Sequence, residues 1–274
     1  MQRAKKSLGQ NFLVDPNIQQ KIVDALAPAP DRDVLEIGPG TGALTRRLAG
    51  RVRTLAAIEL DDRLAAALQD EFTGRDDVRI LHGDALALDV RTITKEFERL
   101  TVVGNIPYNI TSPLLFRVLE RAHRPRRLVV MVQKEVADRI VAAPGDKQYG
   151  ALSVGVRTVA EAVRLFVVPR GAFRPAPNVD SAVLRIDPVA PPPLTPSEES
   201  DVRTLTRAAF GWRRKQLQRI LRDAPEYTLD SNAVATLEQA MGIPFTVRPE
   251  ELTPGDFVRL ARGLRALTAP DQGA

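Results

Sequence analysis

The stretch Val34-Leu35-Glu36-Ile37-Gly38-Pro39-Gly40-Thr41-Gly42 constrains this chain more than any other. A short apolar run meets a turn holding three glycines, and a helical pattern follows from about Ala43 to Ala49. Glycines there let the backbone turn sharply and approach a ligand closely. The free N–H groups of the helix start then face that ligand. Thr54 to Ile58, Val78 to Leu81, Leu100 to Val103 and Leu128 to Val132 read as further apolar strands. Asp62 to about Phe72, a segment opened by Ser112-Pro113, and Lys134 to Val141 read as helices. Unbroken apolar strands alternating with helices predict an α/β fold, with a parallel sheet covered on both faces. Ahead of the sheet, Asp15 as N-cap and Pro16 at the first helical position open a helix over 15–27.

The alternation ends after the fifth strand. Ala162 to Val168 and Ala182 to Ile186 read as two strands without a helix between them, joined by a proline-rich loop over 169–180. They predict an antiparallel hairpin at one edge of the sheet. Asp187 to Ser200 is the clearest linker, with Pro-Pro-Pro at 191–193, and the pattern beyond it is helical. The expected division is residues 1–189 for the sheet domain and 190–274 for a small all-α domain. The 274 residues contain no cysteine, which excludes disulfide scaffolds, zinc-thiolate sites, iron–sulfur clusters and a cysteine nucleophile. His82 and His123 are isolated, so no metal is expected. The longest uncharged run, Leu100 to Phe116, is too short and too polar to cross a membrane. No apolar segment follows the basic N-terminus. A soluble, cytoplasmic protein is expected.

Acidic side chains follow the glycine turn at intervals. Glu59 ends the second strand, where a carboxylate can accept both hydroxyls of a ribose, and Asp84 follows the third, where it can accept from an adenine amine. The glycines do not choose the cofactor. With Ala43 the run also fits the dinucleotide pattern Gly-x-Gly-x-x-Ala, and NAD and S-adenosylmethionine both carry an adenosine ribose.

Asn105-Ile106-Pro107-Tyr108 follows the fourth strand, at the sheet edge where ligands bind. An adenine amine is a poor nucleophile, because its lone pair is delocalised into the ring. The Asn105 amide oxygen and a main-chain carbonyl can each accept one N–H of that amine. This localises the lone pair for attack on a methyl sulfonium and stabilises the cation that develops. Pro107 fixes φ and holds the carbonyl, and Tyr108 offers a face for the base to stack on.

The formal net charge of +5 hides its distribution. Residues 1–10 carry Arg3, Lys5 and Lys6 with no acid. Residues 202–222 carry Arg203, Arg207, Arg213, Arg214, Lys215, Arg219 and Arg222 with no acid. Lys215, Arg219 and Arg222 recur at helical spacing, with Leu217, Ile220 and Leu221 toward the core. This segment is expected to contact RNA. Lys147, Gln148 and Tyr149, in a glycine-flanked loop, read equally as an RNA-facing flap or a plain surface loop.

Several motifs occur together in order. They are Lys6 to Leu13 (Lys-Ser-Leu-Gly-Gln-Asn-Phe-Leu), Glu36 to Gly42, Ile58-Glu59-Leu60-Asp61, Gly83-Asp84-Ala85 and Gly104 to Ile110. Gln133-Lys134-Glu135-Val136 and Phe173-Arg174-Pro175-Ala176-Pro177-Asn178-Val179-Asp180-Ser181 follow. Over nearly its whole length the chain resembles the KsgA/RsmA family of ribosomal RNA adenine dimethyltransferases. The resemblance implies a Rossmann-like, S-adenosylmethionine-dependent enzyme. Such an enzyme dimethylates the exocyclic amines of two adjacent adenosines in the 3′-terminal hairpin loop of small-subunit rRNA. It implies Asn11, Leu13, Gly38, Gly40, Glu59, Asp84 and Asn105 at the cofactor. It implies Asn105 at the target amine, with Pro107 supplying the carbonyl and Tyr108 and Phe173 as two aromatic walls. The expected partner is the rRNA of an immature small subunit, met by a monomer. The Erm-type methylases of large-subunit rRNA share many of these motifs, and Ile106 is also common among them. Ala209-Phe210-Gly211-Trp212-Arg213-Arg214-Lys215-Gln216-Leu217 is similar to the small-subunit group. A non-catalytic RNA-binding assembly factor on the same fold is a further alternative, against which the intact Asn105, Pro107, Tyr108, Glu59 and Asp84 argue.

Overall fold

A computed structural model describes residues 10–107, 110–119 and 124–268. The chain divides into two compact units. The first comprises the residues up to Asp138 together with Glu161–Pro188, and the second comprises Arg139–Ala160 and the residues from Val189 on. A single cut at 189/190 therefore differs from the structure in two respects: Arg139–Ala160 and Val189 both group with the helical residues.

The first unit is built on a seven-stranded sheet. Its strands in chain order are β2 (Asp33–Ile37), β3 (Thr54–Glu59), β4 (Val78–His82), β5 (Leu100–Asn105), β6 (Arg127–Gln133), β7 (Ala160–Val168) and β9 (Ser181–Pro188). In space they run β4-β3-β2-β5-β6-β9-β7. The pairs β2/β3, β2/β5, β3/β4 and β5/β6 are parallel, and β6/β9 is antiparallel. The central strands are continuously apolar because both faces are covered: Val34, Leu35, Leu55, Val102, Val103, Val129 and Val130 are all buried.

Local chemistry sets the helices. The Asp15 carboxylate accepts from the Asn17 and Ile18 N–H groups and caps α1 (Pro16–Leu26), which buries Ile22, Val23 and Leu26. Asp61 caps α3 (Asp62–Glu71) in the same way. α2 is shorter than its pattern suggests, Thr45–Leu48, because the positive φ of Gly42, +80°, prolongs the turn ahead of it. α4 (Thr111–Leu119) begins ahead of Ser112, so Pro113 sits within the first turn, where no intrahelical N–H is lost. α5 is Lys134–Val141. The two hairpin strands appear at the sheet edge as expected. Their joining loop holds an element the pattern does not reveal, β8 (Phe173–Arg174), paired antiparallel with β1 (Phe12–Leu13).

The second unit is helical apart from the first residue of β7. It contains the end of α5, α6 (Ala151–Arg157), α7 (Pro196–Gly211), α8 (Leu217–Asp223), α9 (Ser231–Met241) and α10 (Pro254–Thr268). α7 packs against α6 and α10, and α9 against α8 and α10. Leu205, Ile220, Phe245, Phe257 and Leu260 are completely buried. Among the described residues, no helix is long and apolar enough to cross a membrane, and no group of His, Cys, Asp and Glu could hold a metal ion.

Candidate active site

From β2 the chain builds β3 and β4 on one side, then crosses over to add β5 on the other. The crevice at such a switch point opens at the C-terminal ends of the strands. There the glycine turn after β2 meets the end of β5, with Ile37 opposite Gly104. A Cβ on Gly104 would lie 2.4 Å from the Ile37 carbonyl oxygen, so only glycine lets the two strand ends come this close. The resulting cleft, about 1140 Å³ counting the space open to solvent at its mouth, is lined by Asn11, Phe12, Leu13, Glu36, Gly38, Gly40, Glu59, Leu60, Asp84, Ala85, Asn105, Ile106 and Pro107, among others.

The N-terminal arm forms one side of this cleft. Its β1 is held by β8, by Gln19 Nε2 donating to the Leu13 carbonyl at 2.9 Å and by Gln10 Nε2 donating to Asp61 Oδ2 at 3.3 Å. Asn105 Nδ2 donates to the Asn11 carbonyl at 3.0 Å. That bond fixes which end of the amide is which, and Oδ1, on a cleft-lining side chain, accepts no hydrogen bond among the described residues. A Cβ on Gly40 would lie 3.1 Å from the Phe12 ring, so glycine lets the arm sit close on the turn.

The acids are equally well placed. Glu59 is buried, its Oε2 accepting the Gly40 N–H at 2.9 Å and its Oε1 the Asp61 N–H at 2.9 Å. Each oxygen keeps a second lone pair for a ligand hydroxyl. Asp84 is exposed and uses Oδ1 to accept the Leu86 N–H at 2.8 Å, while Oδ2 accepts no hydrogen bond among the described residues. Leu60, 52% exposed, presents an apolar surface between these acids in sequence and suits a flat ring. Glu36 lines the floor. Its Oε2 accepts from Thr45 Oγ1 at 2.7 Å, and burial, reinforced by the nearby Glu59 charge, pushes its carboxyl up to about 7.

The structure thus brings together Asn11, Leu13, Gly38, Gly40, Glu59, Asp84, Asn105 and Pro107 around one cleft. Phe173 is not among the lining residues. It is 1% exposed within the hydrophobic core and pairs with Leu13, so it presents no face to a base and instead anchors the arm. Tyr108 lies outside the described residues, as do Arg3, Lys5, Lys6 and His123. The sequence reading overlooked Glu36, Leu60 and the strap formed by Gln10 and Phe12. A lone acid inside an otherwise apolar strand was the available signal for Glu36.

The basic segment also differs in detail from its pattern. α7 ends at Gly211, and a turn carries Arg213, Arg214 and Lys215. α8 starts only at Leu217, because the Leu217 and Gln218 N–H groups donate to the carbonyls of Val247 and Phe245, each at 2.9 Å. Lys215 is therefore not on the helix with Arg219 and Arg222. Arg213 lies 3.8 Å from Glu250, and Arg219 pairs with Asp223 at 3.1 Å. Arg214, Lys215 and Arg222 are exposed and have no acidic partner among the described residues.

An adenosine-bearing cation suits this cleft. It offers two carboxylates at strand ends, an apolar platform at Leu60, and glycine-turn backbone open to close approach. Such a cleft on such a sheet belongs to a Rossmann-like, S-adenosylmethionine-dependent methyltransferase. The family model described as Ribosomal RNA adenine dimethylase matches residues 1–260. Ribosomal RNA small subunit methyltransferase A of Geobacillus thermodenitrificans (strain NG80-2) is 42% identical over 268 residues, 96% of this chain and 92% of the relative. Among solved structures, a dimethyladenosine transferase from Plasmodium falciparum superposes with a TM-score of 0.79 at 26% identity, covering 91% of this chain and 95% of that one. The 23S rRNA methyltransferase ErmE superposes with a TM-score of 0.70 at 28% identity, covering 93% and 100%. The chain belongs to the ribosomal RNA adenine dimethylase family.

Proposed function

We propose that this protein dimethylates the exocyclic amines of two adjacent adenosines in the 3′-terminal hairpin loop of small-subunit rRNA. It acts as a cytoplasmic monomer on an immature subunit. The observation that carries the small-subunit choice is the 42% identity, across 96% of the chain, to a small-subunit methyltransferase, against 28% to ErmE.

Glu59 holds the ribose hydroxyls of the cofactor, Asp84 its adenine amine, and Gly38, Gly40, Asn11 and Leu13 complete its surroundings. When bound, S-adenosylmethionine supplies an electrophilic methyl group on a sulfonium. The target base is splayed out of the RNA to reach the cleft, since A-form helices hide base edges. Asn105 Oδ1 accepts one N–H of the target amine, its amide held in that orientation by the Asn11 carbonyl. The second acceptor differs from the one expected. The Pro107 carbonyl already accepts from the Ile110 N–H at 3.1 Å and from Thr111 Oγ1 at 3.2 Å, which uses both of its lone pairs. The Ile106 carbonyl accepts no hydrogen bond among the described residues, on a residue that lines the cleft. Among the described residues it is the acceptor of the pair Ile106-Pro107 that has no donor, and Pro107 serves by fixing φ beside it. Two such dipoles localise the amine lone pair and stabilise the charge that develops. The proton then leaves an acidic ammonium, so no strong base is required. Tyr108 stacks on the base, and Arg213, Arg214, Lys215, Arg219 and Arg222 contact RNA phosphates.

Incubation with under-methylated small and large subunits and labelled S-adenosylmethionine, followed by mapping of modified bases, tests this reading. Dimethyladenosine in the small-subunit terminal loop is the expected result. Label on the large subunit alone would replace it with the Erm-type activity.

A further inference from the structure

The loop over 143–150 belongs to the second unit and is anchored throughout. Ala143 N–H donates to Asp146 Oδ2 at 2.8 Å, and the N–H groups of Asp146 and Tyr149 donate to the carbonyls of Ala143 and Asp146, each at 3.0 Å. Gly145 N–H donates to the Glu250 carbonyl at 2.7 Å. The Tyr149 ring is fully buried, edge-on to Phe210 at 5.9 Å, and its hydroxyl donates to the Leu252 carbonyl at 2.8 Å. Between these anchors Lys147 and Gln148 are exposed, and Lys147 has no acidic partner among the described residues.

The same loop meets the basic turn. Arg213 donates to the Asp146 carbonyl at 3.4 Å, which places Lys147 beside the turn bearing Arg214 and Lys215. The two local acids are engaged within loop and turn: Asp146, itself exposed, accepts the Ala143 N–H, and Glu250 lies 3.8 Å from Arg213. Lys147, Arg214 and Lys215 are the exposed basic side chains of loop and turn that have no acidic partner among the described residues. We infer that the loop is a second, discontinuous part of the RNA interface, with Lys147 contacting a backbone phosphate of the same RNA that Arg214 and Lys215 engage. A loop held at both ends presents that lysine with less ordering left to lose on binding, and phosphate contacts of this kind fix register without reading bases.

This inference rests on the reading of the basic turn as RNA-binding, and the experiment separates the two. Binding of the full-length protein to small-subunit rRNA is measured across salt concentrations for Lys147→Ala, Lys147→Arg and the double variant Arg214→Ala/Lys215→Ala. Lys147→Ala should raise Kd about three- to tenfold and lower the log–log salt slope by about 1, and Lys147→Arg should restore both. Unchanged thermal unfolding and S-adenosylmethionine affinity show that the variant is folded. Wild-type binding by Lys147→Ala, alongside weakened binding by the double variant, overturns the loop's role and leaves the turn's intact. Wild-type binding by both overturns the two together.

Discussion

One end of the Asn105 amide, Nδ2, holds the arm through the Asn11 carbonyl, and in the proposed reaction the other end, Oδ1, accepts the target amine. Asn105→Ala should reduce methyl transfer by about 10²- to 10³-fold in single turnover with both substrates saturating, while rRNA still binds. Near-normal turnover would refute the polarised-amine account. Glu36 makes a second prediction at this scale. Its carboxyl, raised by burial from the ordinary 4.5 to about 7, keeps its proton in the folded protein over a range where the unfolded chain has lost it. The stability it contributes is therefore full below about pH 4.5 and is lost as pH rises through about 7. Glu36→Gln should flatten that decline in urea unfolding followed against pH; an unaltered decline would assign it to other groups. Asn105, Glu59 and Asp84 were legible because each lies at or just past the end of a strand in an α/β alternation. The occupied carbonyl of Pro107 was not, because its two donors lie in the turn that follows and declare themselves only by geometry.

At the level of elements, capping and apolar runs made α1, α5 and the parallel strands readable. β1 and β8 were not readable, since two residues carry no periodicity and their partners lie far apart in sequence. The start of α8 was hidden for a related reason: carbonyls from 245–247 decide where its first N–H groups are satisfied. α7 has its start written locally, yet it opens at Pro196, inside the run 187–200 that composition marks as linker. Thr195 Oγ1 accepts the Glu198 N–H at 3.3 Å, Glu198 Oε2 accepts the Thr195 N–H at 2.8 Å, and Arg262 of α10 donates to Glu198 Oε1 at 2.8 Å. The Thr195 N–H, together with Arg262, holds the Glu198 carboxyl down to about 2. Glu198→Ala should cost about 1 kcal/mol near neutral pH. A depressed carboxyl contributes above its unfolded value of 4.5 and loses that contribution as pH falls toward about 2. The gap between wild type and variant in thermal unfolding should accordingly narrow on acidification; a gap constant with pH would show that the carboxylate bonds are not its source.

Across the whole molecule, a net charge of +5 understates the partner, because the acid-free segments concentrate positive charge while the remainder is acidic. The structure refines which of those charges are available. Arg213 and Arg219 are engaged with Glu250 and Asp223, whereas Arg214, Lys215 and Arg222 have no acidic partner among the described residues. Replacing these three with glutamine should weaken rRNA binding and reduce the magnitude of the salt slope by about 2 to 3. An unchanged slope would mark the segment as solvated surface. The same scale explains the unit boundary. The run of prolines near residue 190 marks one break in composition, but the assignment of Arg139–Ala160 to the helical unit depends on packing, as in Tyr149 against Phe210.

The sequence alone determined the α/β alternation, the glycine turn, the order of the strand-end acids and the concentration of basic charge. Each is local, set by period, by a residue's own backbone freedom or by simple counting. Tertiary structure decided how the arm straps the cleft, that the Pro107 carbonyl is already occupied, why Phe173 is buried, and that Lys147 stands beside Arg214 and Lys215. Those facts depend on hydrogen bonds and packing between residues far apart in the chain, and no local pattern encodes such a bond until the chain is folded.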